Sequence, residues 1–226
     1  MPTPQPKDST SVRKKILIVD DHPMVREGLV QQINREPDLL VCGEAGNAAQ
    51  ALAAVEKSRP DLVLADINLP GRSGLELIRD VHALFPKLPV VVLSMHDETV
   101  FAERVLRAGG RGYVSKQQDS ETLLAAIRRV LGGQIYVSEA VSTRLLGGLS
   151  GPSPARTPSP VEQLTDRELE VFTLIGEAKE TKEIARQLHM SVKTVEAHRA
   201  SIKRKLNLKS GPELTRHAVL WVEAVR

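Results

Sequence analysis

The sequence predicts two folded domains, an α/β doubly wound domain with a five-stranded parallel sheet followed by an all-α domain of four helices. Up to about Gly133, apolar runs rich in β-branched residues alternate with segments of helical periodicity, which is typical of a parallel sheet covered by helices. After a stretch rich in Gly, Ser and Pro, only helical patterns remain. A chain of 226 residues is long enough for two ordinary domains.

The first domain is expected to contain five strands. They are the apolar runs at residues 16–19, 39–43, 61–65, 90–94 and 112–115. Each run is followed by apolar residues three or four positions apart, the spacing of one helix face, so a β/α unit repeats five times. Residues 1–14 are expected to be a disordered extension, and residues 15–134 form the α/β domain.

A linker and a helical domain follow. The stretch GGLSGPSPARTPSP contains four prolines that disfavour helix and strand, which indicates an exposed linker. Residues 135–162 are expected to comprise a helix and this linker. In the all-α domain, 163–226, Thr165 and Glu168 have capping-box spacing, and Ser191 is a good N-cap for the third helix. A fourth helix is expected from about residue 212 to 225. The side chains expected to face the core are Leu169, Phe172, Ile175, Ile184, Leu188, Val192, Val195, Ile202 and Leu206.

Composition indicates a cytoplasmic protein without a membrane partner. The only cysteine, Cys42, cannot form an internal disulfide, and no apolar run has the length of a signal peptide or a membrane span. The formal net charge is +3, from 31 Lys and Arg against 28 Asp and Glu. The whole excess falls after Leu164, where the sequence has 12 basic and 9 acidic residues. Within it, residues 191–209 carry six basic residues and one acid, which fits either a phosphate-facing strip or a solvated helix face.

Three carboxylates are expected to meet at one edge of the sheet. Asp20 and Asp21 follow the first strand, and Asp66 follows the third. Ser94 ends the fourth strand and Lys116 follows the fifth. Functional groups of parallel α/β sheets gather outside the carboxyl ends of the strands, so these five residues can converge.

This set of residues predicts phosphoryl chemistry. Mg²⁺ binds through carboxylates, waters and phosphate oxygens, so the three acids would make a magnesium site and explain the adjacent pair Asp20 and Asp21. A carboxylate beside the metal can attack a phosphoryl group and form an aspartyl phosphate. Asp66 is the expected nucleophile because it follows the central strand, while Lys116 and Ser94 would contact the transferred oxygens.

Residues 15–132 resemble the receiver domain of two-component response regulators, a flavodoxin-like fold. The stretches that carry the resemblance are VDDHP, VLADINLPGRSGLEL, VVVLSMHDE and RAGGRGYVSK. The resemblance implies Asp66 as the phospho-acceptor, with Mg²⁺ held by Asp20, Asp21, Asp66 and the backbone carbonyl of Asn68. It also implies a histidine kinase as partner, and the switch residues Ser94, Lys116 and Tyr113.

Three positions in this domain bear on how closely it follows the family pattern. Tyr113 stands where the family has an aromatic that changes rotamer on activation, although packing alone also explains an aromatic on a strand. Gln117 stands where many receivers have a proline that follows the lysine in a cis peptide, so that geometry is not expected to be kept. Met95 is bulkier than the small residue usual there and is expected to narrow the approach to Asp66.

Residues 163–210 resemble the LuxR-type helix-turn-helix domain, which makes the whole chain similar to response regulators of the NarL/FixJ type. The pattern LTxRExEV is followed by KEIAxxLxxSxKTVExHxxxIxxKL. Ala178 stands where the family usually has Gly at a helix C-terminus. The resemblance implies that the third helix enters the major groove of double-stranded promoter DNA.

The predicted DNA contacts lie on the exposed side of the third helix and at the start of the second. Lys182, Lys193, Thr194 and Arg199 are assigned to the phosphate backbone, as is the basic Lys203, whereas Glu196, Ala197 and Ala200 are at base-facing positions. His198 would either donate to phosphate or pack at the edge of the helix.

The last helix is a candidate dimer contact. Leu214, Ala218 and Trp221 lie three and four positions apart, so they share one helix face, and the protein is expected to form a homodimer when phosphorylated. The alternative is that Trp221 caps the core of its own domain. RNA polymerase is a further candidate partner at the promoter.

Two other functions are compatible with parts of the sequence. A phosphatase with an aspartyl nucleophile would need a second acid two residues later, but Asn68 occupies that position, so no enzyme is predicted. A receiver with a protein-binding output is the second alternative. Salt-dependent binding to duplex DNA would separate it from a DNA-binding regulator.

Overall fold

Five parallel strands form the predicted sheet in the order β2-β1-β3-β4-β5. The computed structural model describes residues 13–147 and 160–225. The strands are β1 (Lys14–Val19), β2 (Leu39–Ala45), β3 (Leu62–Ala65), β4 (Val90–Ser94) and β5 (Gly112–Ser115). Residues 1–12 of the expected extension and residues 148–159 of the expected linker lie outside the described residues. The expected boundary after residue 14 was wrong by one residue, because Lys14 begins β1 and pairs with Leu39 of β2.

Helices cover both faces of this sheet. They are α1 (Pro23–Asn34), α2 (Ala48–Ser58), α3 (Gly74–Leu84), α4 (Glu98–Arg107) and α5 (Ser120–Leu131). Ile16 and Ile18 of β1 pack in one apolar cluster with α1 and α5, whereas Leu17 and Val19 belong to the cluster with α2, α3 and α4. This alternation follows from the two-residue period of a strand and confirms the α/β doubly wound fold. A further helix, α6 (Glu139–Gly147), packs against α4.

The second domain is the predicted four-helix module, preceded by a short 3-10 helix at Pro160–Gln163. Its helices are α7 (Asp166–Gly176), α8 (Thr181–Gln187), α9 (Val192–Lys205) and α10 (Gly211–Val225). Both hydrogen bonds of the capping box between Thr165 and Glu168 are formed. The hydroxyl of Ser191 accepts from the Thr194 N–H at 3.0 Å, so the predicted cap of α9 is confirmed.

Two details of the module concern single residues. Val192 was expected to face the core but is 45% exposed, because it is the first residue of α9 and precedes the buried stripe that starts at Val195. Ala178 has φ 60°, the left-handed conformation that favours glycine. The predicted helix end is therefore at Ala178, although alanine is less suited than glycine to the left-handed conformation.

Helix α7 is buried on all sides. Every residue from Glu168 to Ile175 is buried, although an amphipathic surface helix buries only one side. One side of α7 packs against α9 and α10 of its own module. The other side meets the first domain, since the apolar residues of α7 continue the cluster that contains α3 and α4. The two domains are thus docked on each other through α7.

Arginines of the first domain clamp the start of α7. Asp166 pairs with Arg79 of α3 and lies 3.1 Å from a guanidinium nitrogen of Arg104 of α4. Arg104 also donates to the backbone carbonyl of Leu164 at 2.8 Å. From the module, Arg167 donates to the carbonyl of Leu69 at 3.0 Å, in the loop that follows β3. The docked arrangement therefore combines apolar packing with charge-assisted hydrogen bonds.

No helix within residues 13–147 and 160–225 has both the length and the apolar character needed to cross a membrane.

Candidate functional site

The register of the sheet brings Asp20 and Asp66 side by side. Val19 of β1 pairs with Ala65 of β3, so the residues that follow leave the sheet at adjacent positions. The Asp66 N–H donates to the Val19 carbonyl at 2.8 Å. Both carboxylates are buried, with exposures of 2% for Asp20 and 4% for Asp66. The predicted convergence of these acids at the carboxyl edge is therefore present.

Lys116 neutralises part of this charge. Its backbone N–H donates to the carbonyl of Ser94, which places the side chain at the same edge. The ammonium nitrogen lies 2.6 Å from an oxygen of Asp20 and 2.6 Å from an oxygen of Asp66. Burial lowers the pKa of Lys116, but the two carboxylates raise it more, so the net shift is upward. Burial raises the pKa of Asp66, and the Lys116 charge opposes that shift.

The remaining donor atoms fit a divalent cation. One ligand atom each from Asp20, Asp21, His22 and Asp66 lies within 4.8 Å of the others. The Asp21 Oδ1 atom is buried and accepts no hydrogen bond from the part of the chain that the structure describes, although His22 Nδ1 is 2.9 Å away. A buried carboxylate oxygen without a donor is costly unless a cation satisfies it. Carboxylate oxygens are the ligands that Mg²⁺ prefers.

Asn68 is also at this site. Its backbone N–H donates to Asp66 Oδ1 at 3.1 Å. The predicted role of its carbonyl as a magnesium ligand stays a prediction. The sequence analysis did not single out His22, whose Nδ1 atom lies 2.9 Å from an oxygen of Asp21 and 3.3 Å from an oxygen of Asp20.

Two of the predicted switch residues, Ser94 and Tyr113, belong to one hydrogen-bonded group through His96. The Tyr113 hydroxyl donates to the His96 carbonyl at 2.8 Å, and the His96 N–H donates to the Ser94 hydroxyl oxygen at 3.1 Å. His96 Nε2 lies 3.0 Å from the Asn68 side-chain oxygen. Burial and the nearby Lys116 lower the pKa of His96 to about 4, so the ring is neutral near pH 7 and donates to Asn68.

Sequence reasoning missed His96, although it lies in the stretch VVVLSMHDE. Tyr113 is almost fully buried in this group, at 1% exposure. None of the described peptide bonds is cis, including the one between Lys116 and Gln117.

The helical module covers the acidic site. A cavity of about 710 Å³ separates the two domains here. On the side of the first domain it is lined by Asp66, Lys116 and Met95, among others. The lining residues from the module are Leu174, Glu177, Arg186, Gln187 and His189. His189 reaches furthest, because its Nε2 atom lies 2.8 Å from Asp21 Oδ2.

The predicted DNA-contacting side chains are accessible. Lys193, Thr194, Glu196, Ala197 and Ala200 on α9 are exposed, as is Lys182 on α8, and His198, Arg199 and Lys203 are half-buried. The ammonium group of Lys205, also on α9, instead pairs with Glu168 of the same module at 2.6 Å. Burial lowers the pKa of His198, which fits a neutral ring packed at the edge of the helix.

The predicted dimer residues have different environments. Leu214 and Ala218 have 0% exposure in the core of their own module and offer no surface to a second copy in this arrangement. Helical spacing identified the apolar face of α10 but could not tell an internal face from an external one. Trp221 is half-buried, with its ring 5.5 Å from that of Phe172, and Leu220 is 54% exposed.

Glu170 is a buried acid between the two domains. It has 0% exposure, and it accepts from Arg167 at 2.7 Å while its second oxygen has no hydrogen-bond donor among the described residues. Burial raises its pKa to about 7, with Arg167 opposing and Asp166 and Glu76 adding to the rise. No pattern in the sequence distinguished it from a solvent-facing residue of α7.

This acid predicts a pH-dependent stability. Because the folded-state pKa is above the unfolded value, its proton stabilises the fold at low pH, and that stabilisation is lost as the pH rises from about 4.5 to about 7. A shift of this size corresponds to about 3 kcal/mol. We expect the free energy of unfolding of Glu170→Gln, minus that of the wild type, to increase as the pH is raised from 5 to 8. Denaturant titrations of both proteins at both pH values measure this difference. A difference that is the same at pH 5 and pH 8 would contradict the prediction.

Comparisons with known proteins agree with this geometry. The family model described as response regulator receiver domain matches residues 16–128, and the model described as bacterial regulatory proteins, luxR family, matches residues 162–218. The oxygen regulatory protein NreC of Staphylococcus aureus is 39% identical over 209 residues, which cover 91% of this chain and 96% of NreC.

Solved structures of RcsB are similar over nearly the whole chain. RcsB from Salmonella enterica serovar Typhimurium, bound to promoter rprA with the phosphomimetic BeF₃⁻, is 25% identical with a TM-score of 0.60, covering 92% of this chain and 98% of RcsB. A structure of two RcsB dimers bound to two parallel DNAs is 27% identical with a TM-score of 0.55, covering 93% and 98%.

Proposed function

Since the chain belongs to the response regulators that join a receiver domain to a LuxR-type DNA-binding domain, we propose that a phosphoryl group on Asp66 controls its binding to promoter DNA. A histidine kinase is the proposed donor and Mg²⁺ the proposed cofactor. The observation that best supports this proposal is that the helical module covers the buried Asp66 carboxylate. His189 of the module also contacts the acidic cluster around Asp66. Chemistry at Asp66 can therefore act directly on the position of the module.

The proposed transfer uses side chains that already surround Asp66. A carboxylate oxygen of Asp66 attacks the phosphorus of a phosphohistidine, the P–O bond forms, and the P–N bond breaks with its electron pair leaving on the imidazole, which is then protonated. A bound Mg²⁺ at Asp20, Asp21 and Asp66 would neutralise charge on the transferred oxygens. Lys116 would leave Asp66 and donate to a phosphoryl oxygen, and the Ser94 hydroxyl would donate to another.

Phosphorylation would then favour the separated domains. The new group adds charge and bulk in the cavity under Leu174 and His189, and it draws Lys116 away from its present partners. A protein with two arrangements shifts toward the one that the modification favours. The exposed face of α9 supports major-groove binding, and RcsB is a relative with a structure on promoter DNA.

Pairing of two modules on DNA is part of the proposal. RcsB dimers have been seen on DNA. In this chain a contact through α10 would use Trp221 and the exposed Leu220 rather than Leu214 or Ala218. Trp221 also lines a cavity between the domains, so separation of the domains would expose it further. Contact with RNA polymerase at the promoter completes the proposed set of partners.

The proposal is tested by comparing the genomic DNA fragments retained by the full-length protein before and after treatment with acetyl phosphate and Mg²⁺. We expect a defined set of fragments to be enriched by phosphorylation, and we expect binding to weaken as salt is raised. Binding that is absent at low salt in both states would favour a protein-binding output instead.

Lys193→Ala should weaken binding to all retained fragments by a similar factor. This lysine is exposed in the first turn of α9, where a phosphate contact is expected, and such a contact carries no base information. The slope of log affinity against log salt should fall by about 1. Lys57→Ala, which removes the same charge from α2 of the receiver, is the control and should leave affinity and slope unchanged. An unaltered slope in Lys193→Ala would remove this residue from the interface.

A further inference from the structure

We propose that His189, which belongs to the DNA-binding module, is a positioning residue for the divalent-cation site of the receiver. Its Nε2 atom lies 2.8 Å from Asp21 Oδ2, across the boundary between the domains. Asp21 is an expected ligand of the cation, so the module would complete the surroundings of a site that otherwise belongs to the receiver. This inference rests on the proposed function, because it concerns the same metal site.

The two oxygens of Asp21 face different neighbours. Oδ2 meets His189, whereas Oδ1 lies 2.9 Å from His22 Nδ1, the nitrogen that is also 3.3 Å from an oxygen of Asp20. Oδ1 is therefore on the side of the acidic cluster, and it is the oxygen without a hydrogen bond among the described residues. The contact of His189 with the outer oxygen would hold the inner oxygen toward the cation, as partners of ligating carboxylates do in other metal sites.

The backbone of the module fixes the position of this imidazole. His189 directly follows Leu188, the C-cap of α8, and has φ 52°. The N–H of Met190 donates to the Ala185 carbonyl at 2.8 Å, which closes the end of the helix around His189. The side chain therefore leaves from a fixed helix end toward the receiver.

Cation binding and docking are then coupled. If the docked module raises the affinity of the site for Mg²⁺, Mg²⁺ must raise the affinity of docking by the same factor. In the absence of a phosphodonor, Mg²⁺ would thus help to keep the domains together. A substitution at Asp166 can weaken docking independently, because Asp166 pairs with Arg79 and Arg104 away from the acidic cluster.

The experiment measures the Kd of the full-length protein for Mg²⁺ by calorimetry, together with the emission of Trp221, the single tryptophan, which lines the cavity between the domains. His189→Asn suits the left-handed backbone, but its side chain is too short to reach Asp21. We expect its Kd for Mg²⁺ to rise about tenfold. His189→Gln places an amide nitrogen near the position of Nε2 and should recover most of the affinity.

A remote variant separates positioning from a local effect. Asp166→Asn should weaken Mg²⁺ binding in the wild-type background and have no further effect when combined with His189→Asn, because the contact that transmits docking is then gone. Mg²⁺ should also shift the emission of Trp221 in the wild type but not in His189→Asn.

An unchanged Kd for Mg²⁺ in His189→Asn would overturn the inference. Tighter Mg²⁺ binding in that variant would also overturn it, because the imidazole would then compete with the cation. The third contrary result is a His189→Gln protein that binds Mg²⁺ as weakly as His189→Asn does. Labelling of Asp66 by acetyl phosphate at saturating Mg²⁺ tests the proposed function separately. If the wild type is labelled and His189→Asn binds Mg²⁺ with the wild-type Kd, only the role of His189 is refuted and the proposed function stands.

Discussion

Asp66→Asn protein is expected to acquire no phosphoryl group from acetyl phosphate in the presence of Mg²⁺, under conditions that label the wild type. An amide at this position cannot form the acyl phosphate. Of the other two carboxylates of the cluster, Asp21 faces His22 and His189, whereas Asp20 shares Lys116 with Asp66. The measurement is the mass of the intact protein after incubation, where one phosphoryl group is resolved directly.

The matched control for this variant is Asp119→Asn. Asp119 is the N-cap of α5, and its side chain accepts from the Thr122 N–H at 2.7 Å. Asparagine caps helices about as well as aspartate, so the fold is preserved while one carboxylate is lost. This control should be labelled as the wild type is. Undiminished labelling of Asp66→Asn would place the nucleophile on another residue.

Gly74→Ala is expected to lower the free energy of unfolding by about 3 kcal/mol, at the upper end of overpacking effects. A Cβ atom at Gly74 would lie 2.2 Å from the Asp66 carbonyl oxygen and 2.7 Å from the Ile67 Cα, and both atoms belong to the backbone. The Gly74 N–H also donates to the Ile67 carbonyl at 2.7 Å, which closes the loop after β3. Relief of the clash must therefore move the backbone that carries Asp66, the proposed phospho-acceptor.

Gly28→Ala, in the same domain, is expected to raise the free energy of unfolding. Gly28 is an exposed residue inside α1, and a Cβ there has no atom within 4 Å. Alanine should stabilise this helix by about 0.5–1 kcal/mol. Urea unfolding followed by circular dichroism compares the three proteins, and labelling by acetyl phosphate should slow in Gly74→Ala but not in Gly28→Ala. A Gly74→Ala protein as stable as the wild type would show that the loop yields without cost.

The acidic site was predictable because strand ends are fixed by local patterns. In a parallel sheet the carboxyl ends share one edge, so acids after two apolar runs must come close once the strands pair. Asp20, Asp66 and Lys116 met for this reason, and their side chains are in direct contact. The fold of both domains followed from periodicity in the same way.

The features that sequence reasoning missed depend on how the two domains meet. Periodicity describes one element and its own core, so it could not show that α7 lacks a solvent-facing side or that Glu170 is buried there. It could not assign His189 to Asp21, since 168 positions separate them in the chain. The apolar face of α10 had the same ambiguity, and burial of Leu214 and Ala218 resolves it in favour of an internal face.

The burial of residues 168–175 of α7 has a thermodynamic consequence for the balance between docked and separated domains. Separation would bring water to apolar side chains such as Leu169 and Leu174, which now line cavities between the domains. Hydration of apolar surface raises the heat capacity, so the enthalpy of separation must change with temperature. Apolar association also weakens on cooling, unlike the ion pairs around Asp166. The regulator should therefore open more readily in the cold than near its growth temperature, even without a change in phosphorylation.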